Sequence, residues 1–174
     1  AGNYASIVGG YENCADGNCS FIGGGNNNSL SNYSSNSVIV GGFDNSVSSC
    51  YSFIGGGNGN TLSSGYRQVI VGGCFNTISG NSDNFIGGGN SNTISGYYNN
   101  VIVGGYNNTI SDYRRGGFIG AGSSNTISSQ YSVIVGGQNN SLSAYYNNAI
   151  VAGNSNTISG NYKNHSFIGA GCKN

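Results

Sequence analysis

Residues 101–111, VIVGGYNNTIS, decide the fold, because versions of this stretch recur along the whole chain. With Ile102 as phase zero, equivalents fall at Ile7, Ile22, Ile39, Ile54, Ile70, Ile86, Ile119, Ile134, Ile150 and Ile168, at steps of 15 to 18 residues. A period of this length marks a solenoid, in which no unit buries its own apolar face and stacking supplies the core. Position +3 is always Gly, from Gly10 to Gly171, which implies a corner of positive φ or backbone packed on backbone. Position +2 is only Gly or Ala, which predicts a site without room for a larger side chain. Position +6 is Asn throughout, and +8 is aliphatic in every coil from Leu30 to Ile158. Insertions fall only between +8 and the next phase zero, so one corner is rigid and the other adjustable.

Two short β-rich runs per coil, V-I-V or F-I-G and then N-T-I-S, define two strands separated by Gly and Asn corners. Period-2 alternation turns the phase-zero and +8 aliphatics inward and their neighbours outward. The fold predicted is all-β, a parallel β-solenoid of the two-sheet β-roll kind with about eleven 16-residue coils, on the order of 50 Å long. It forms one repeat domain over residues 1–174 with an irregular first coil at 1–20. The core is thin, and an amide ladder along the Asn column is expected to compensate by satisfying the backbone.

Only 6% of the residues are charged, 33 are Gly, and Pro, Met and Trp are absent. Such a composition alone points to disorder, but the strict aliphatic columns exclude it. No apolar run reaches the ~18 residues of a membrane span, and no leader is recognisable. The charges are segregated. Glu12, Asp16, Asp44 and Asp83 against Arg67 give −3 over residues 1–87; Arg114, Arg115, Lys163 and Lys173 against Asp112 give +3 over 88–174. With no capping element recognisable at either end, head-to-tail attraction between copies is expected.

Five cysteines is an odd number. Cys14 and Cys19 are spaced to close a small loop, Cys74 and Cys172 share position +4, and Cys50 lies on the opposite corner, so at least one thiol is free or bonds another subunit. With sequons at Asn18, Asn27, Asn32, Asn107, Asn139 and Asn164, this favours an extracellular or surface-exposed setting.

No constellation for catalysis, metal or cofactor emerges. His165 is the sole histidine and reads as a solvated loop residue, and the carboxylates are scattered in phase. The GGG runs lack the Lys and Ser/Thr of a phosphate loop and end strands rather than open helices. The tyrosines Tyr33, Tyr51, Tyr66, Tyr98, Tyr113, Tyr131, Tyr146 and Tyr162 are read as a structural stack over the adjustable corner, since no basic groove accompanies them for nucleic acid.

Two outer columns carry the functional expectations. Outside the second strand stand the hydroxyl pairs Thr61/Ser63, Thr77/Ser79, Thr93/Ser95, Thr109/Ser111, Thr126/Ser128 and Thr157/Ser159, continued by Ser29/Ser31, Ser46/Ser48 and Ser141/Ser143. Spaced ~7 Å along a strand and ~4.8 Å between coils, they form a flat lattice able to order water. Outside the first strand, Val pairs (Val38 and Val40, Val69 and Val71, Val101 and Val103, Val133 and Val135) alternate with Phe followed by Gly (Phe21, Phe53, Phe85, Phe118). This apolar stripe exceeds what a soluble monomer usually exposes and is expected to be covered by another chain.

The units GNSNTISGYYNNVIVGG and SSNTISSQYSVIVGG resemble the head repeats of trimeric autotransporter adhesins and the repeats of phage and giant-virus tail fibres. That resemblance implies a left-handed parallel β-roll, often trimeric, in a fibrous adhesive module. The NTIS strand is also similar to that of ryegrass antifreeze protein, which implies ice binding by a β-roll. The expected function is therefore a non-enzymatic, self-associating subunit of an extracellular fibre or adhesive filament. The alternative is an ice-binding protein using the hydroxyl array. Copies of itself are the expected partners, with a surface, a glycan or ice beyond them, no nucleic acid and no cofactor.

Overall fold

The computed structural model describes residues 1–111, 115–160 and 165–174. Each coil but the last contributes one two-residue strand to each of two parallel sheets. Among the described residues sheet A holds eleven strands, from Ser6–Ile7 through Val101–Ile102 to Phe167–Ile168, and sheet B ten, from Cys14–Ala15 through Thr109–Ile110 to Thr157–Ile158. Each strand pairs with its equivalents in the adjacent coils, Val101 with Phe85 and Phe118, Thr93 with Thr77 and Thr109. Insertions never shift the register, because they are absorbed at one corner. Among the described residues no helix is long and apolar enough to cross a membrane.

The core is one aliphatic column per sheet, Ile22 to Ile150 from sheet A facing Leu30 to Ile158 from sheet B, almost all fully buried. The sheet B column also begins a coil earlier than the aliphatic pattern indicates. Ala15 takes the +8 place in the first coil and is buried, and Asn13 before it starts the Asn column.

The Asn ladder forms as expected. Each Oδ1 accepts the backbone N–H and the Nδ2 of the next Asn, as Asn92 does from Asn108 at 3.0 and 3.2 Å. Each Nδ2 also reaches the +2 carbonyl of its own coil and the +3 carbonyl of the next, for Asn108 those of Gly104 and Gly122. The equivalent column beneath the adjustable corner is mixed, with Ser37, Ser52, Gln68, Asn84, Asn100, Ser132 and Asn148 all buried. Its network is incomplete: Gln68 Oε1, Asn148 Nδ2 and the Ser49 and Ser129 hydroxyls are buried without a partner among the described residues. Identical amides at a fixed spacing can form a continuous ladder, while mixed side chains on coils of unequal length cannot.

Both corners share a feature that residue identity conceals. Three positions before the inward places the backbone is left-handed, at +5 (Asn27, Phe75, Ser91) and at −3 (Tyr4, Tyr51, Arg67, Tyr131), and Lys173 at +5 of the last coil follows suit; φ lies between 49° and 59° in twenty described non-glycine residues. Such a conformation costs roughly 1–2 kcal/mol per residue. It reverses the direction of hydrogen bonding. Strand N–H groups donate to the next coil, as Thr93 does to Asn108, whereas corner N–H groups donate to the preceding one, as Phe75 does to Asn58 and Arg67 to Cys50. Each coil is thereby tied in both directions.

At position +2 a methyl fits: a Cβ added to Gly72 or Gly104 would meet nothing within 4 Å, in keeping with Ala121, Ala152 and Ala170 at the same place. The crowded place is +3, where Gly105 has φ +98° and a Cβ would run into the Gly122 carbonyl.

Candidate functional site

Sheet A presents the alternating apolar column outward. Val40, Val71, Val103 and Val135 at +1 are about half exposed, at 49–50%. Val38, Val69, Val101 and Val133 at −1 are half-buried against their coil neighbours, as are Phe53, Phe85 and Phe118, while Phe21 is exposed at 37%. The Phe coils carry Gly at +1 for two reasons. A Cβ on Gly55 or Gly87 would strike the carbonyl of Val71 or Val103, and it would lie 3.3 Å from the coil's own phenyl ring. Each ring therefore lies across its glycine, and the surface stays level from Val coil to Phe coil. No charged residue stands in either column.

Sheet B presents the hydroxyl pairs in register. Thr61, Thr77, Thr93, Thr109 and Thr126 follow one another through consecutive parallel pairings, and Ser141 and Thr157 continue them. The threonines from Thr61 to Thr126 are half-buried; Ser63, Ser79, Ser95, Thr157 and Ser159 are exposed, Ser111 and Ser128 half-buried. Ser111 and Ser128 hydroxyls meet at 3.0 Å across a coil step. Strand N–H bonds such as Ser95 to the Ile110 carbonyl hold the +9 backbone as firmly as the +7. The lattice ends toward the first coil, where Cys14 and Asp16 replace the hydroxyls and Cys14 pairs with Ser29.

All five cysteines are free thiols. Cys14 donates to the Asp16 carboxylate at 3.3 Å, and this hydrogen bond, with some burial, pushes its pKa up and keeps the thiol protonated. Cys19 occupies a left-handed −3 corner position, φ 54°, and is exposed. Cys50 donates to the Tyr33 carbonyl at 3.1 Å, and Cys74 and Cys172 sit at the rigid corner.

The reading of the tyrosines as a stack is corrected. Tyr97 with Tyr98 and Tyr145 with Tyr146 make edge contacts at 5.9 and 4.3 Å, and Arg115 lies over the Tyr98 ring at 4.9 Å. Tyr33, Tyr51, Tyr66 and Tyr131 instead stand 51–71% exposed: Tyr51 and Tyr131 share the −3 place but lie five coils apart, and Tyr33 and Tyr66 leave the corner at other places two coils apart. Tyr113 and Tyr162 lie outside the described residues, as do Asp112, Arg114, Lys163 and Asn164. The described charges include one close side-chain pair, Arg67 Nε to Asp83 Oδ1 at 2.7 Å, which holds the Asp83 carboxyl below its usual range. His165 occupies a left-handed corner place beside Asn147 and is exposed. Among the described residues no three His, Cys, Asp or Glu side chains come together where a metal ion could be held.

The chain is a β-solenoid repeat protein. Neither a comparison with protein-family models nor one with curated proteins returns a match for it.

Proposed function

We propose that the protein is a non-enzymatic structural subunit that associates laterally with copies of itself through the outer face of sheet A, in an extracellular or surface-exposed fibre or adhesive filament. The observation that carries this reading is the level, uncharged stripe in which Val40, Val71, Val103 and Val135 stay half exposed along the rod. A flat sheet face of this kind packs against another such face at about 10 Å separation, and a second copy offers the same face at the same ~4.8 Å coil spacing. The repeats of trimeric adhesins and tail fibres supply the precedent for such an assembly. Replacing Val71 and Val103 together by Lys leaves the core untouched, since both side chains point outward, and places charge on the stripe. Sedimentation velocity is expected to show wild-type oligomers and a monomeric double variant whose circular-dichroism spectrum keeps the wild-type β signature. An unaltered oligomer would remove sheet A as the interface.

One observation favours a second reading, ice binding by sheet B. Its support is the run of Thr61, Thr77, Thr93, Thr109 and Thr126 in strict register. Thermal hysteresis is its measurement. Thr93→Tyr, which breaks flatness in the middle of the lattice, is expected to abolish hysteresis at little cost in stability, and a wild type that neither lowers the freezing point nor shapes ice crystals would dismiss this reading.

A further inference from the structure

The geometry points to a saccharide-binding cleft at the adjustable corner, built by Tyr33, Ser48, Cys50, Ser63, Ser64 and Tyr66 and fitted to an extended, neutral, β-1,4-linked glycan lying along the rod.

The cleft arises from unequal coil lengths. From Ile22 to Ile39 is 17 residues, from Ile39 to Ile54 is 15, and from Ile54 to Ile70 is 16. The two surplus residues of the longest coil make an extra turn, in which the Ser34 N–H and hydroxyl both donate to the Ser31 carbonyl, at 3.0 and 2.6 Å. Tyr33 sits at its tip, 71% exposed, with its N–H on the Ser31 hydroxyl. The short coil that follows lacks this turn; its Tyr51 points outward, while its Cys50 thiol donates to the Tyr33 carbonyl at 3.1 Å. The next corner projects again with Tyr66. Between them lies a cleft of about 370 Å³ lined by Tyr33, Ser48, Cys50, Ser63, Ser64 and Tyr66, together with Gly65. A second hollow of about 210 Å³ shares Ser64 and Gly65 and continues to Ser79, Ser95 and Tyr97. The cleft is thus preformed by backbone bonds and falls within the range of small-ligand sites, about 300–1,000 Å³.

Its chemistry selects the ligand class. Tyrosine walls offer flat apolar faces with polar tips, and the floor supplies serine hydroxyls, which together match a pyranose ring with C–H faces and hydroxyl edges. No lining residue is charged, and the nearby Arg67 is already paired with Asp83. Tyr33, Tyr66 and Tyr97 come from alternate coils, ~9.6 Å apart along the axis. In an extended β-1,4-linked chain, every second sugar turns the same face to one side, so a straight glycan can meet these rings in succession. The sequence repeats the same length order, 17, 15 and 16 residues, from Ile102 to Ile150.

This cleft is separate from sheet A, so its test is independent of self-association. Cellohexaose titrated into the full chain, with backbone amide shifts recorded by NMR, is expected to give saturable changes at Ser48, Ser63 and Tyr66. Tyr66→Ala is expected to weaken binding about tenfold or more, while Tyr66→Phe keeps the ring and the affinity, and Tyr11→Ala on the rigid corner changes nothing. Should Tyr66→Ala melt early, Tyr33→Ala at the turn tip takes its place. Failure of wild type to bind millimolar cellohexaose, retained affinity in both alanine variants, or equal binding of the curved α-linked maltohexaose overturns the proposal.

Discussion

Asn108→Ala is expected to cost about 3–5 kcal/mol of unfolding free energy, measured by urea denaturation of the chain against wild type. The two hydrogens of its Nδ2 are divided among three acceptors, Asn92 Oδ1 and the Gly104 and Gly122 carbonyls, and its Oδ1 accepts two bonds, from the backbone N–H and the Nδ2 of Asn125. Some of its partners keep a substitute: the Gly122 carbonyl still receives the Tyr106 N–H, and the Asn125 Nδ2 still reaches Ala121 and Gly137. The Asn125 N–H has none, and Asn125 is fully buried, so an orphaned donor adds its desolvation penalty to the lost bonds. Asn108→Asp carries the same logic into pH. A carboxylate there faces Asn92 Oδ1 and two carbonyls that only accept, and its protonated form alone can donate. The folded pKa therefore rises above the unfolded value of about 3.9. Stability of this variant is fullest below that unfolded value and is lost as pH rises through the raised folded pKa. A urea midpoint for Asn108→Asp that is flat between about pH 4 and pH 8 would contradict the ladder as the seat of this stability.

The parts of the fold legible in the sequence are those in which a site admits one residue type. Ile at phase zero and the +8 aliphatic had to be inward because nothing else closes a core one layer thick, and Asn at +6 had to be a ladder because only an amide both donates and accepts along a stack. Gly at +3 carried its own explanation. The left-handed corners at +5 and −3 were hidden, because Phe75, Tyr131, Arg67 and Lys173 have nothing in common except a backbone that the neighbouring coil holds in place. Ala15 escaped because a small residue at the first +8 place does not look aliphatic beside a column of Ile and Leu. The cleft was hidden for a third reason. It belongs to no column at all: it is a difference in length between adjacent coils, read only once the corners are stacked. The same stacking turned the tyrosines from an expected continuous cover into separate projecting rings.

The hydroxyl lattice and the apolar stripe follow from one constraint, since a strand only two residues long with an inward aliphatic leaves its flanking residues to face out. Those flanking places are free of the core's demands. Their regularity over many coils is therefore where selection by a partner surface would be written, on sheet A as level apolar bulk and on sheet B as in-register hydroxyls.

Gly89→Ala is expected to split the rod's cooperativity. At Gly89 the backbone has φ +91°, a conformation L-residues rarely adopt, and an added Cβ would run into the Gly105 carbonyl oxygen while lying 2.7 Å from Asn92 Nδ2 and 2.8 Å from the Gly105 nitrogen. Two of these atoms are backbone of the next coil and the third is a rung of the ladder, so none can step aside without opening the stack between the Ile86 and Ile102 layers. The expected loss is about 4 kcal/mol or more, at the top of the range for single substitutions. In a quasi-one-dimensional array stability is a sum over coils and nearest-neighbour interfaces, so weakening one interface uncouples the coils before it from those after it. A single urea transition in wild type should become two in Gly89→Ala, resolved by hydrogen exchange into blocks on either side of residue 89. The control is one residue away in phase: Gly104→Ala stands at +2, where a Cβ meets nothing within 4 Å and φ is not left-handed, and it should unfold as wild type does. Equal destabilisation by both variants would mean that the corner resists any added methyl, and that the close approach at +3 is not what holds successive coils together.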